Sequence, residues 1–269
     1  IREVIFAGSG EIREYAPAKG SLFAAGDKWR LYEIERDVAT ANQLLDGLGL
    51  TDKDADGFRL RSDGKGPLSL RWDIYPWHDK PLELIIKYWK DIGIKTTYNV
   101  DPQQWKIHRA NDGYLQLRMP GSAWNCWVSY GCRGPVITAD HVAVEVGRWY
   151  STDGDKGEAP TIDKYKNEDG RYIFKELLDT WEAGAKHPMT SPERKKLSEF
   201  LYSTYIQEVL HVTFVGSALG IKGLFVVNND MRNVPDPKTT VHSGFYSYPP
   251  RMDAFFYENP EQHLYYQGQ

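Results

Sequence analysis

Aspartates recur at alternate positions in DKDADGFRLRSD, residues 52–63, and Gly57 directly follows the third of them. An EF-hand calcium loop takes carboxylates at positions 1, 3, 5 and 12 and a glycine at position 6. This register predicts oxygen ligands for a calcium ion. The carboxylate positions are filled by Asp52, Asp54, Asp56 and Asp63.

Two features of this aspartate segment argue against a calcium site. Arg59 stands where such loops usually carry an apolar residue, and Asp63 is one methylene shorter than the usual bidentate Glu. The flanking sequence predicts a helix end on one side and a hairpin on the other. We therefore interpret the segment as a turn whose Asp side chains accept hydrogen bonds from nearby backbone N–H groups. Metal binding by the four aspartates stays the weaker alternative.

Motifs of catalysis are absent from the sequence. It contains no HExxH, no GxSxG and no phosphate-binding P-loop. The 7 histidines share no ligand spacing, and the 37 acidic residues single out no carboxylate pair. No catalytic residue and no cofactor are therefore predicted.

Aromatic residues are concentrated in the Gly-flanked segment of residues 121–132, which contains WNCWVSY and follows the predicted strand GYLQLRMP. Loops beyond strand ends are where open α/β sheets bind ligands, and aromatic faces suit sugars and peptide side chains. We expect the two Trp rings to be partly exposed, with a role in the core as the alternative. The predicted ligand-binding residues are Trp124, Asn125, Trp127 and Tyr130.

Composition limits the class of protein. The 269 residues suffice for one large domain or two smaller ones, and a net charge of −4 without a clustered basic face argues against nucleic acid as a partner. No apolar run reaches the roughly 18 residues of a transmembrane helix. The opening IREVIFAGSG lacks Met and a signal peptide, so we expect a mature fragment or an excised piece. Cys126 and Cys132 either form a disulfide or remain free thiols.

Helical periodicity is clear in four segments. Asp37 is the predicted N-cap of RDVATANQLLDGLGL, whose apolar face ends at Leu48, and Ser191 is the predicted N-cap of SPERKKLSEFLYSTYIQEV. In DKPLELIIKYWKDIG, Asp79 is the predicted cap and Gly93 stops the helix. RYIFKELLDTWEAGAK is the fourth helix. The apolar stripe of DKPLELIIKYWKDIG consists of Leu82, Ile85, Ile86 and Trp89.

Strand patterns alternate with these helices. FRLR and PLSLRWDIY predict a β-hairpin in which Phe58 and Leu60 face inward while Arg59 and Arg61 face solvent. IKTTYNV, GYLQLRMP, HVTFVG and GLFVV predict further strands, and residues 120–170 predict irregular loops. Strands that alternate with helices indicate an α/β fold with a mixed sheet and flanking helices.

The order of several blocks resembles a known family. YEIERDVATANQLLDGLGLTDKDADGFRLRSDGKGPLSL is similar to a stretch of extracellular solute-binding proteins of ABC importers, in the peptide/nickel/cellobiose-type branch. ELIIKYWKDIGIKTTYNV, RWYSTDGDKGEAPT and VVNNDMRNVPD are similar to later blocks of that family. The resemblance covers residues 34–235, and within it the aspartate segment is similar to a family turn.

The resemblance implies a type II periplasmic-binding-protein-like lobe from the C-terminal portion of a longer protein. Residues 1–215 would form most of the second lobe, and residues 216–269 would return toward the first lobe. The implied function is capture of an oligopeptide or oligosaccharide by hinge closure, with delivery to an ABC permease and no catalysis. Asp140 is implied as a partner for a ligand α-amino group.

The resemblance also implies a periplasmic or extracellular monomer, with a lipid anchor in the preceding part of the protein as one arrangement. A secreted carbohydrate-active enzyme with an aromatic cleft is the alternative function. That enzyme would need two carboxylates at a defined separation across the cleft.

Overall fold

The computed structural model describes residues 1–8, 10–17, 23–74, 79–100, 115–117, 127, 142–210, 212–213, 215, 228–233 and 255–263. The chain divides into two compact units. The first unit comprises Ile1–Gly8, Glu33–Met119 and Gly134–Asp179, and the second comprises Ser9–Tyr32, Pro120–Arg133 and Thr180–Gln269. The assignment of residues 1–215 and 216–269 to parts of a two-lobed protein stays a prediction.

Helices and strands occur in both units of the described chain. The helices are α1 Arg2–Phe6, α2 Asp27–Arg30, α3 Val38–Gly47, α4 Asp79–Lys90, α5 Val144–Ser151, α6 Ile173–Ala185 and α7 Pro192–Gln207. The strands are β1 Ser69–Ile74, β2 Lys95–Val100, β3 Leu115–Leu117, β4 Met231–Arg232 and β5 Phe256–Tyr257. Within the described residues, short 3-10 helices cover Asp163–Tyr165 and Pro260–His263.

The main sheet has β1 at its centre, in the order β2-β1-β3, and both pairings are parallel. Ser69 pairs with Lys95, and Trp72 pairs with Leu115. The antiparallel pairing of β4 with β5 forms a separate sheet. The α/β class with flanking helices is therefore confirmed.

Helix α4 follows the predicted pattern because its apolar stripe covers the sheet. Leu82 and Ile85 are buried, whereas Ile86 and Trp89 are half-buried. The Trp89 ring lies 5.2 Å from that of Trp72 in β1, which places α4 against this face of the sheet. Truncation of such buried aliphatic side chains typically costs about 2–5 kcal/mol of stability.

Asp37 and Ser191 cap their helices as predicted, whereas Asp79 is the first residue of α4. An oxygen of Asp37 accepts a hydrogen bond from the Thr40 backbone N–H at 2.9 Å, and Ser191 Oγ accepts one from the Arg194 N–H at 3.1 Å. Each bond satisfies a donor that the first turn of a helix leaves free. The predicted apolar face of α3 is only half-buried, and Leu48 at its end is 72% exposed.

The predicted hairpin differs from the structure in the course of its second arm and in the burial of Arg59. Isolated antiparallel bridges join Lys53 to Arg59 and Leu60 to Pro67, but the second arm continues as the parallel strand β1. Arg59 is only 2% exposed, although the alternation predicts a solvent-facing side chain. Burial is tolerated because carbonyl and carboxylate groups surround its guanidinium, as described below.

Two other predictions differ from the structure. Residues 120–170 were predicted to be irregular, yet α5 lies within them, and its β-branched residues and glycine have low helix propensity. Burial of Val144 and Val146 stabilises this helix. In HVTFVG, the described residues Val212, Thr213 and Val215 form no strand. The predicted strand GLFVV lies outside the described residues.

Candidate functional site

The carboxyl edge of the main sheet is the place where this topology favours a ligand. The chain passes from β2 to β3 across the central strand β1, so the order of connection reverses beside β1. Open α/β sheets bind ligands beyond the carboxyl ends of strands at such a switch point. The aromatic segment of residues 121–132 follows β3 in the sequence. The carboxyl edge of the main sheet is therefore one candidate site, and the aromatic segment stays a separate prediction from the sequence.

A buried carboxylate lies near this edge. Asp73, the last residue but one of β1, is 1% exposed, and its Oδ1 lies 3.4 Å from the donor Nδ2 of Asn99. Asp73 is in register with Asn99 and Gln116 on the two neighbouring strands. Carboxylates are rarely buried without such partners, and its place near the sheet's carboxyl edge makes Asp73 a candidate functional residue.

Sequence reasoning missed Asp73. Strand alternation groups it with Ser69 and Arg71 on the polar face of β1, so it looked like an ordinary solvated residue. The burial changes along the strand, from exposed at Ser69 to buried at Asp73. An acidic residue at the carboxyl end of a predicted central strand is the signal that would have found it.

Trp127 is the predicted ligand-binding residue that the structure describes. It is half-buried, and its role in ligand binding stays a prediction. Its Nε1 donates to the Trp181 carbonyl at 2.8 Å, and the two rings stack at 5.2 Å with an angle of 20°. Phe23 contacts it edge-on at 5.7 Å, and the Arg194 guanidinium lies 4.8 Å from its ring centroid. These contacts tie Trp127 to α6 and α7.

The other predicted site residues lie outside the described residues. Their roles in ligand binding stay predictions, as does the pairing of the cysteines. The residues concerned are Trp124, Asn125, Tyr130, Asp140, Cys126 and Cys132.

The aspartate segment forms a turn stabilised by its own side chains. Asp54 Oδ1 accepts hydrogen bonds from the backbone N–H groups of Asp56 at 3.0 Å and Phe58 at 2.9 Å. Gly57 has φ +84°, a left-handed conformation that glycine adopts without steric cost.

The closing aspartate of the segment also has local partners. The Asp63 carboxylate accepts from Arg61 Nε at 3.0 Å and from the Lys65 N–H at 3.1 Å. These bonds, the one from Arg61 foremost, lower the pKa of Asp63. Within the part of the chain that the structure describes, no group of three or more His, Cys, Asp or Glu side chains could hold a metal ion.

The arginine of the same segment connects three parts of the first unit. Arg59 Nε donates to the Ile92 carbonyl at 2.9 Å, Nη2 to Asn42 Oδ1 at 2.6 Å, and Nη1 to Asp46 Oδ1 at 2.5 Å. Nη1 also donates to the Leu50 carbonyl. Arg59 therefore joins α3 to the end of α4, a role that strand alternation did not predict.

Comparison with known proteins supports the fold. No protein-family model matches the chain, and no curated protein gives a significant match. The oligopeptide-binding protein OppA matches with a TM-score of 0.63 at 22% identity, over 87% of this chain and 37% of OppA. The periplasmic binding protein MelB from Agrobacterium fabrum C58, in complex with stachyose, matches with a TM-score of 0.51 at 15% identity, over 76% and 29%.

The match thus spans 37% of the length of OppA and 29% of the length of MelB. At such identities the likeness concerns the fold, and at that level the resemblance seen in the sequence is confirmed. The α/β fold of this chain is that of a part of the solute-binding proteins.

Proposed function

We propose that this chain forms a ligand-binding lobe in the solute-binding component of an ABC importer. The observation that carries the proposal is the β2-β1-β3 strand order, with an aromatic segment directly after β3, in a chain that shares the fold of OppA. Residues 1–215 would form most of the second lobe, and residues 216–269 would return toward the first. Hinge closure would then enclose the ligand.

Two ligand classes fit this site. OppA is named as an oligopeptide-binding protein, and MelB was solved with an oligosaccharide. An oligopeptide could pair its α-amino group with Asp140, whereas an oligosaccharide could stack on Trp124 and Tyr130 and hydrogen-bond Asn125. Both classes require binding and release without turnover.

The proposed setting is extracytoplasmic, with a membrane permease as the partner that receives the ligand. Among the described residues, no helix combines the length and apolarity needed to cross a membrane. The alternative of a carbohydrate-active enzyme would need two carboxylates across a cleft. The product analysis described next distinguishes this alternative from a binding protein.

Thermal melting with ligand panels tests the proposal. Short oligopeptides and oligosaccharides are added separately to the protein that contains this chain. A ligand that binds only the folded state raises the melting temperature, and chromatography of the incubated ligand should show no product. Product release, or no shift with either class, would contradict the proposal.

A substitution in the aromatic segment tests the location of the site. Trp124→Ala should weaken binding by about 1 kcal/mol or more, as for a buried aromatic anchor, and should leave the unliganded melting temperature unchanged. Phe256→Ala, at an exposed aromatic of β5, is the control and should change neither quantity. A Trp124→Ala protein with wild-type affinity would remove Trp124 from the site.

A further inference from the structure

We infer that Asn99, at the carboxyl end of β2, is a ligand-contacting residue whose side-chain amide is oriented by the buried carboxylate of Asp73. The ligand group that suits this amide is neutral and carries a hydrogen-bond donor and an acceptor side by side. The inference rests on the proposed function and adds to it a specific contact at the carboxyl edge of the main sheet.

Asp73 and Asn99 lie side by side at this edge. Each is the last residue but one of its strand, and the parallel register of β1 and β2 pairs them directly. The order of connection reverses beside β1, and open α/β sheets bind ligands beyond the carboxyl ends of strands at such a point. The pair therefore lies where the topology favours a ligand contact.

The pair faces away from helix α4. Trp72 contacts Trp89 of α4 on one face of the sheet, and successive side chains of a strand point to opposite faces. Asp73 and its register partner Asn99 therefore project from the other face. Asn99 is exposed there, whereas Asp73 is buried. The amide is thus the member of the pair that a ligand can reach.

The carboxylate determines how the amide is turned. An ionised carboxylate only accepts hydrogen bonds, whereas an asparagine side chain has two N–H donors on Nδ2 and an acceptor, Oδ1. Nδ2 of Asn99 lies 3.4 Å from Oδ1 of Asp73, and the opposite orientation would set two acceptors against each other. Within the described part of the chain, Asp73 is the hydrogen-bond partner of this side chain. Oδ1 and the second N–H of Asn99 are left for a ligand.

This orientation selects the chemistry of the ligand group. A peptide group presents an N–H beside a C=O, and adjacent sugar hydroxyls donate and accept in the same way. Either can donate to Oδ1 of Asn99 and accept from its second N–H. A carboxylate of a ligand has no donor for Oδ1, so it would satisfy only half of the amide. The contact therefore favours the neutral, repeating part of an oligopeptide or an oligosaccharide over an anionic end group.

Asp73 acts through Asn99 in this arrangement. It is 1% exposed, so a ligand does not contact it directly. It holds the amide in the binding orientation before the ligand arrives, which reduces the conformational freedom lost on binding. Asp73 is therefore a positioning residue, and its effect on affinity should vanish when the Asn99 amide is absent.

The test uses four variants of the protein that contains this chain: Asn99→Ala, Asp73→Asn, the double variant and the control Thr97→Ala. Thr97 is a matched control because it is exposed on the same face of β2, roughly 6–7 Å before Asn99. Calorimetry measures affinity for tetraalanine, which offers peptide groups, and for stachyose, which offers hydroxyls. Thermal melting without ligand measures the stability of each variant.

Asn99→Ala should weaken binding of the probe that the wild type binds by roughly three- to tenfold, as for one lost hydrogen bond. Its unliganded melting temperature should not change, because the side chain is exposed. Asp73→Asn should also weaken binding, since an asparagine both donates and accepts and does not fix the neighbouring amide. In the double variant it should cause no further loss. Thr97→Ala should bind as the wild type does.

Three results would overturn the inference. Wild-type affinity in Asn99→Ala, or an equal loss in Thr97→Ala, would remove Asn99 from the ligand contact and leave the proposed function standing. Additive losses of affinity in the double variant would show that Asp73 acts independently of Asn99. A wild type that binds neither probe would contradict the proposed function itself, and this inference with it.

Discussion

Gly93 lies directly against Arg59. The Arg59 backbone N–H donates to the Gly93 carbonyl at 2.8 Å, and a Cβ built on Gly93 would lie 2.9 Å from Cγ of Arg59. Gly93 also has φ +84°, so it both ends the turn after α4 and leaves room for the arginine. The helix stop predicted from sequence is therefore also a packing requirement.

Gly93→Ala should destabilise the protein more than a positive φ alone would. Gly170 provides the control, because it has φ +77° with nothing within 4 Å of its missing Cβ. Alanine at either position should cost roughly 1 kcal/mol for the left-handed backbone, and the clash at Gly93 should add about 1–3 kcal/mol. Urea unfolding of the two variants measures the difference. Equal losses would show that Arg59 adjusts freely.

Arg59→Lys should be strongly destabilising, although the charge is kept. A lysine cannot reproduce the planar fork that reaches Asn42, Asp46 and the Ile92 carbonyl, so buried acceptors lose their donors. We expect a loss of about 2–4 kcal/mol in the free energy of unfolding.

The neighbouring Arg61→Lys is the matched control for Arg59→Lys. Arg61 is exposed and pairs with Asp63 at the surface, so its replacement should change stability by less than about 0.5 kcal/mol. Similar losses in the free energy of unfolding for the two variants would mean that the hydrogen bonds of the buried Arg59 guanidinium contribute no additional stability.

The N-cap of α3 should make stability depend on acidic pH. The backbone N–H of Thr40, and then its hydroxyl, lower the pKa of Asp37. A carboxyl whose folded pKa is depressed contributes stability above its unfolded pKa of about 3.9 and loses it as pH falls through the folded value.

Asp37→Asn tests this sign, because asparagine caps helices well and does not titrate. The melting temperature of the wild type should exceed that of the variant near neutral pH. The gap should narrow as pH falls below about 4. A gap that is independent of pH would show that the Asp37 charge contributes nothing.

The aspartate segment should be a structural turn whose stability does not depend on calcium. Asp54→Ala should cost about 1–2 kcal/mol in the free energy of unfolding, because it removes the acceptor for the N–H groups of Asp56 and Phe58. Calcium added in excess over EDTA should leave the melting temperature of the wild type unchanged. A rise that disappears in Asp54→Ala would instead establish selective binding of calcium to the folded state.

Local rules predicted the features whose partners are near in sequence. The 3.6-residue period placed Leu82 and Ile85 in the core, and the caps at Asp37 and Ser191 follow from residues three positions further on. Strand periodicity found β2 and β3. The topological switch point beside β1 needed the strand order, which no local pattern contains.

The features that sequence reasoning missed depend on distant partners. Arg59 is buried because the end of α3 and the Ile92 carbonyl meet at one point, and backbone carbonyls leave no mark on the sequence. Asp73 is buried in the central strand β1, although the alternation of polar and apolar residues along that strand predicts a solvent-facing side chain. The Trp127 ring lies against Gly184 of α6, and a helical glycine alone does not indicate which ring lies beside it.

Helix α3 has consequences for local unfolding. It contains no fully buried residue, and Arg59 donates to its Asn42 and Asp46 side chains. A helix without a fully buried residue opens at a lower free energy than the core, in a cooperative fluctuation separate from global unfolding. Its amides should therefore exchange with solvent well before those of α4. The hydrogen bonds that Arg59 donates to Asn42 and Asp46 oppose this local opening.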